Sequence, residues 1–464
     1  MIQIFLLLIP HFDPGGITVS SSFRLFRSFG IALLGLTFIC SLTLSASLPA
    51  RLTVGACFLA LGGLALFLLR REGYDRKALY TMLLPIGLAL LIRILLVPHA
   101  TLDYQDFLSK WVEHFRINGG FSALKDPVGN YNVPYLYMLA LLSYLPIPDL
   151  YGIKLFSILF DILLAWGGLR LAKCLTQDEK SPLIAFSALL LLPTVVLNGA
   201  CWGQCDSVWG ALCLLALAAA LSDRPKTSLA LLALAFSFKL QAIFLIPLWC
   251  ALWFTGRVKF QHLFVFPGVF ALAMAPAFLL GKPVKDILNV YLDQAGSSVS
   301  WATVNYNSPS VFALLPYHVK VAPWVPKAFI GLAFLFMLTL LALLFVRRSG
   351  LDNTALALAG AALSLGIPFL LPYMHERYFF LGGVLLVVMA CILPAHAPAA
   401  AGAELASLGG YHAYLMKRYM LVLTLFGATW AQLIEGSLML VAIAYTLYSL
   451  CCRLWPGESS KRRA

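Results

Sequence analysis

Charge is scarce in this chain. Only 11% of its 464 residues are Asp, Glu, Lys or Arg, against 61% hydrophobic, where a soluble domain averages ~25% charged residues. That shortage excludes a water-soluble globular protein. No internal repeat is evident, and no low-complexity linker sets off a soluble domain. The first 20 residues carry a short apolar run, Ile4 to Ile9, with neither a basic region before it nor a small-residue cleavage site after it, so it does not read as a signal peptide. The net charge of +13 does not mark a nucleic-acid binder, because no basic cluster stands on a soluble domain. The ten cysteines fall mostly inside apolar segments, where Cys behaves as a small apolar residue. Cys201 and Cys205, four apart, read as packing rather than a disulfide.

What is present is a series of apolar segments. Stretches of ~17–25 such residues recur from about position 28 to position 451, which predicts an all-α polytopic integral membrane protein with roughly eleven to thirteen crossings. Basic residues set its orientation. Arg70, Arg71, Arg76 and Lys77, the pairs Arg224/Lys226, Arg257/Lys259, Arg347/Arg348 and Lys417/Arg418, and the tail Lys461-Arg462-Arg463 fit the cytoplasm. Residues 98–133, 201–206, 281–322 and 372–378 then face outward. Three regions follow: 1–97 with three membrane helices (about 28–48, 52–69 and 78–97), a core over 98–394, and 395–464. The last comprises an Ala/Gly-rich cytoplasmic loop over 395–411, C-terminal membrane helices and the basic tail.

Within the outer loop, Phe107, Leu108, Trp111 and Phe115 recur at helical spacing opposite Lys110, Glu113 and Arg116. They predict a short amphipathic helix lying on the membrane surface. Residues 134–146, bounded by prolines, are too short to span and read as a dipping segment. Residues 150–172 cross inward and 182–200 return. Residues 227–255 lie between two cytoplasmic basic pairs, yet they give only ~44 Å of helix against ~60 Å for two crossings. A shortened hairpin turning near Lys239 and Gln241 is expected, lining a cavity.

Four polar knots interrupt the apolar chain: Asp103-Tyr104-Gln105-Asp106, Trp202-Gly203-Gln204-Cys205-Asp206-Ser207, Phe238-Lys239-Leu240-Gln241, and His375-Glu376-Arg377-Tyr378-Phe379. Ionisable residues at membrane depth cost at least ~2.5–3.5 kcal/mol each, so each is a functional candidate. Acids in the first two and bases in the others suit a reaction needing a general base and a phosphate clamp. Asp106 also fits a cap before Phe107, and Asp206 a cap before a helix starting at Ser207. His375, Glu376 and Arg377 also fit a self-satisfied ion cluster. Asp161 is expected to pair with a neighbouring polar group. No cofactor is expected; a divalent metal would find only two acids, Asp103 and Asp106, without further matched ligands.

Taken in order, these residues resemble the GT-C superfamily of membrane glycosyltransferases, most closely its bacterial branch related to the GPI-anchor mannosyltransferases. The likeness runs from about Asp103 to about Tyr378. It is carried by Asp103-Tyr104 with Phe107-Leu108 and Trp111, Gly119-Gly120-Phe121, Gly129-Asn130-Tyr131-Asn132-Val133-Pro134-Tyr135-Leu136-Tyr137, and Lys154 with Phe160-Asp161. Asn198-Gly199-Ala200, the Trp202 knot, the Lys239 knot, Asn305-Tyr306-Asn307 and the His375 knot complete it. Two departures stand out: the acids are spaced Asp-x-x-Asp rather than Asp-x-Asp, and Leu-Gly-Gly-Val after Phe380 lacks an acid found in relatives. The resemblance implies a GT-C-like core and an inverting transferase using a polyprenyl-phosphate sugar, mannose favoured. It implies an active site on the extracytoplasmic face of a bacterial plasma membrane and an acceptor that is a glycan, lipid or protein. It implies Asp103 as base and Lys239, Arg377 and His375 around the donor phosphate. Tyr104, Asp106, Trp202, Gln204, Asp206, Gln241, Asn305, Asn307 and Glu376 would bind substrate. A flippase for polyprenyl-linked sugars or a secondary transporter is the alternative; repeated halves would favour the transporter.

Overall fold

The apolar runs become helices in a computed structural model, which describes residues 19–296, 303–316, 319–416 and 427–455. The run Ile4–Ile9, the pair Lys417/Arg418 and the basic tail lie outside the described residues. Among the described residues, eight helices are long and apolar enough to cross a membrane, or nine if one bent pair counts as a span. The chain is thus an all-α multi-pass membrane protein. Five further apolar helices of 10–17 residues, such as Val133–Leu142 and Phe380–Ile392, are shorter than a full crossing; hydropathy alone does not separate these from full crossings.

Two compact units divide the chain. One runs up to Arg170 and includes Asp178–Ala211 and Ala275–Asp286; the other holds Leu171–Gln177, Leu212–Met274 and the chain from Ile287 on. In the first unit, helices α1 (Val19–Ser41), α2 (Leu48–Arg71) and α3 (Arg76–Leu96) come first, as expected from hydropathy. Ser47 and Asp75 cap α2 and α3 by accepting from Ala50 N–H and Ala78 N–H. The stretch expected to be amphipathic forms α4 (Ser109–Ile117). Its buried face is Leu108, Val112 and Phe115, whereas Phe107 is half exposed. The stretch expected to dip forms α5 (Val133–Leu142), entered through Pro134 and buried along most of its length. Helix α6 (Asp149–Lys173) follows. The expected return over 182–200 is α7 (Lys180–Leu191) bent by 45° from Pro193–Trp202. Pro193 explains the break, because its ring clashes with the preceding turn.

Helix α8 (Asp206–Leu221) begins in the first unit and ends in the second, where α9 (Pro225–Phe238) stops at Lys239, whose backbone is extended at φ −155° and ψ 133°. After a 3₁₀ turn, α10 (Leu248–Phe254) runs back: the Trp249 indole N–H donates to Ser228 Oγ at 3.0 Å across 21 residues. A continuous helix would hold those residues ~31 Å apart. The early-turning hairpin is therefore present.

Further along come α11 (Val265–Leu279), α12 (Val284–Gly296), α13 (Trp324–Val346), α14 (Asn353–Leu370) and α15 (Phe380–Ile392). The expected loop over 395–411 is instead helix, α16 (Ala397–Met416), burying Ala399, Ala400, Ala403, Ala406, Gly409 and Gly410. Small side chains suit a loop, but they also let membrane helices approach closely. Between α15 and α16 the connection shrinks to Pro394–His396. Helix α17 (Gly427–Leu454) closes the described chain.

Asp352 caps α14, and Arg453 at the end of α17 donates to both its oxygens at 3.0 and 2.8 Å. Burial alone would raise this carboxyl; the bonds from Arg453 and from Ala355 N–H outweigh it and hold it below its usual value. A depressed folded value adds stability above the unfolded value of ~3.9 and loses it as pH falls through the folded one. The acid limb of unfolding, followed in detergent, should therefore shift to higher pH in Arg453→Gln.

Candidate functional site

The first two knots meet in the first unit. After α3 the chain enters a widened π-type turn, Tyr104–Leu108, in which the Ser109 N–H reaches back to Tyr104 O. The second knot is built alike: Leu197–Trp202 is also π-type and ends at Gly203, φ +77°. A left-handed residue is needed there so that Gln204 N–H can return to Asn198 O at 2.9 Å. Single π turns inside helices recur at functional sites.

These two turns hold one carboxylate. The Trp202 indole N–H and the Gln204 amide both donate to Asp103 Oδ2, at 2.8 and 2.7 Å. The Tyr131 hydroxyl donates to Gln204 Oε1 at 3.0 Å, which fixes which end of that amide faces Asp103. Thr101 adds a bond to Trp202 O at 3.3 Å. Trp202 and Gln204 are buried, while Asp103 stays half-buried. A carboxylate fixed by neutral donors and still reachable can take a proton from a bound hydroxyl.

The other first-unit candidates are placed elsewhere. Asp106 is exposed and lies within the π turn, not at the N-cap of either helical segment. Tyr104 reaches the start of α6; burial, then the Asp149 charge, pushes its phenol up, against a bond with the Leu150 backbone. Asp206 is buried, accepting from Asn198 Nδ2 at 2.7 Å and the Trp209 indole at 3.0 Å. Among the described residues no three His, Cys, Asp or Glu side chains gather as metal ligands would.

The fourth knot is organised in the second unit. Strand β1 (Asn305–Tyr306) pairs in parallel with β2 (Met374–His375), and Tyr373 N–H donates to Val304 O at 2.7 Å. Tyr306 stacks on the His375 ring at 4.8 Å and 16°. Burial chiefly, then Tyr373, pushes the Tyr306 phenol up to about 12. Glu376 is buried between His375 at 3.8 Å and Arg377 at 3.7 Å. These are ion-pair distances, too long for hydrogen bonds. Asn305 is used in its own turn, its Oδ1 accepting from Ser308 N–H at 3.1 Å. Asn307 adopts φ 51°, and a Cβ on Gly410 of α16 would lie 2.2 Å from its carbonyl and 2.8 Å from Glu376 Cβ. Only glycine fits there. Lys239 and Gln241 are buried at the break of the hairpin, where the Tyr291 hydroxyl of α12 donates to Ser237 O at 2.9 Å.

Sequence reasoning missed Tyr131 as an orienting group, and it missed Arg93. Arg93 Nε donates to Asp161 Oδ2 at 2.9 Å, and both side chains are fully buried. A lone arginine in Leu91-Ile92-Arg93-Ile94 was the available signal, since such a charge needs a partner.

Compared with known proteins, this chain matches no family model and no curated sequence.

Proposed function

We propose that this protein is a glycosyltransferase that moves a hexose, mannose favoured, from a polyprenyl-phosphate carrier to an acceptor hydroxyl on the extracytoplasmic face of a bacterial plasma membrane. The observation that carries the reading is Asp103: a half-buried carboxylate held on one oxygen by Trp202 and Gln204. The resemblance of the motifs supports the same chemistry. Asp103 accepts the proton of the acceptor hydroxyl, whose oxygen forms a bond to the anomeric carbon. The bond from that carbon to the carrier phosphate breaks on the opposite face, so the configuration inverts. Polyprenyl phosphate leaves with the electron pair, and Lys239, Arg377 and His375 are assigned to its charge. Stabilising charge as it develops is usually the largest single contribution to such a reaction.

The direct test is transfer of radiolabelled hexose from a synthetic polyprenyl-phosphate hexose by purified protein in proteoliposomes. Absence of transfer with every hexose and a crude envelope acceptor fraction would sink the reading. Lys239→Met keeps the apolar stem and deletes the charge. It should weaken donor binding about tenfold or more, the worth of a charged hydrogen bond of ~1.5–3 kcal/mol. Donor affinity equal to that of the parent would remove Lys239 from the phosphate. Sidedness has its own test, after removal of native cysteines. A cysteine at exposed Lys110 should react with an impermeant thiol reagent from outside, and one at exposed Ser349 should not. The reverse pattern would make an extracytoplasmic donor untenable.

A further inference from the structure

Three polar side chains occupy one face of the membrane helix α6. Lys154, Ser157 and Asp161 stand at i, i+3 and i+7, which places them in line on a helix, and each is at most 1% exposed. Each has a defined task. Lys154 Nζ donates to the carbonyls of Leu96 at 3.2 Å and Val97 at 3.0 Å, and to His99 O. These are the carbonyls a helix end leaves open, at the end where a cation is favoured. Ser157 Oγ–H donates to Gln204 O at 2.8 Å. Asp161 accepts from Arg93 Nε on α3 and from Ser207 Oγ of the second knot. The face thus grips the chain that leads into Asp103 and the turn that supplies its two donors.

We propose that the Lys154–Ser157–Asp161 face of α6 is the positioning element of the Asp103 site. It sets the register between residues 93–103 and residues 198–207, so that Trp202 and Gln204 meet one oxygen of Asp103. The consequence for transfer rests on the reading of Asp103 as the base; the mechanical part does not. None of the three side chains is assigned a contact with substrate. Their loss should lower the rate of the chemical step and leave donor binding alone, because a misplacement of ~1 Å can cost ~10²-fold in rate.

Ser157→Ala is the cleanest variant, deleting one hydroxyl; Lys154→Met tests the other arm and Ser157→Thr restores the donor. Hydrogen exchange read by mass spectrometry gives a measurement independent of activity. In Ser157→Ala, exchange over residues 198–207 should rise about tenfold, as for a lost hydrogen bond of ~1.4 kcal/mol, with the melting temperature kept. In Lys154→Met the rise should fall over 98–106. In the transfer assay Ser157→Ala should lose about tenfold or more in kcat with KM within about twofold, and Ser157→Thr should recover both. Unchanged exchange overturns the proposal. So does raised exchange with an unchanged kcat, which would make the ties structural only. If Lys154→Met does not fold, Ser157→Ala and its threonine rescue decide alone. If the parent protein transfers no sugar at all while exchange responds as stated, the glycosyltransferase reading fails and the positioning of Asp103 stands.

Discussion

Asp103→Asn should leave a folded protein that transfers sugar ~10²–10⁴-fold more slowly, the usual loss when a general base is removed. The asparagine has the same shape, and its side-chain oxygen can still accept from Trp202 and Gln204, whose donors reach Asp103 Oδ2 at 2.8 and 2.7 Å. The turn should therefore survive while its basicity is lost. Asp106→Asn is the matched control, because that side chain is exposed within the π turn. It should stay within about threefold of the parent, as surface substitutions away from special features usually do. Steady-state transfer, with melting temperature and gel-filtration profile as fold checks, decides the matter. Parental turnover in a folded Asp103→Asn protein would end its assignment as base. Equal losses at both positions, reversed by an added divalent cation, would transfer the role to a metal.

Arg93→Met should destabilise the protein by ~3–5 kcal/mol, the range for removing one partner of a buried ion pair. The pair joins α3 to α6, with Arg93 Nε 2.9 Å from Asp161 Oδ2 and both side chains inaccessible. Arg93 also donates to Leu190 O at 2.8 Å, so its loss strips a further buried group. Removing the arginine strands an acid among apolar neighbours, with Ser207 as one remaining donor. The Arg93→Met, Asp161→Leu double variant should regain most of the loss, since apolar replacement of a whole buried pair is often neutral. Denaturant unfolding in detergent measures both. A single variant as stable as the parent would show that the pair does not hold these helices together.

Much of this protein is decided along the chain itself. Apolar runs too long and too poor in charge for a soluble core can only be membrane helices, because every backbone polar group in lipid must bond within its own helix. The shortened hairpin follows from arithmetic, since 227–255 is bounded by basic residues yet holds too few residues for two crossings. The four knots were visible because a polar residue in such a background is costly. What the chain alone did not decide depended on groups distant in sequence. The π-type turns have no composition of their own, so nothing local marks that Trp202 and Gln204 meet on Asp103. The Ala/Gly-rich stretch 395–411 falls largely in helix α16, against which α15 and α17 pack, and small residues mark a loop or a close helix contact depending on what lies alongside. Arg93 finds Asp161 across 68 residues, and Lys154 finds the end of α3 across 57 and 58. Local propensity carries no trace of such pairings. Only tertiary packing decides which buried charge meets which partner, because a charge in a membrane takes whatever group the fold brings within reach.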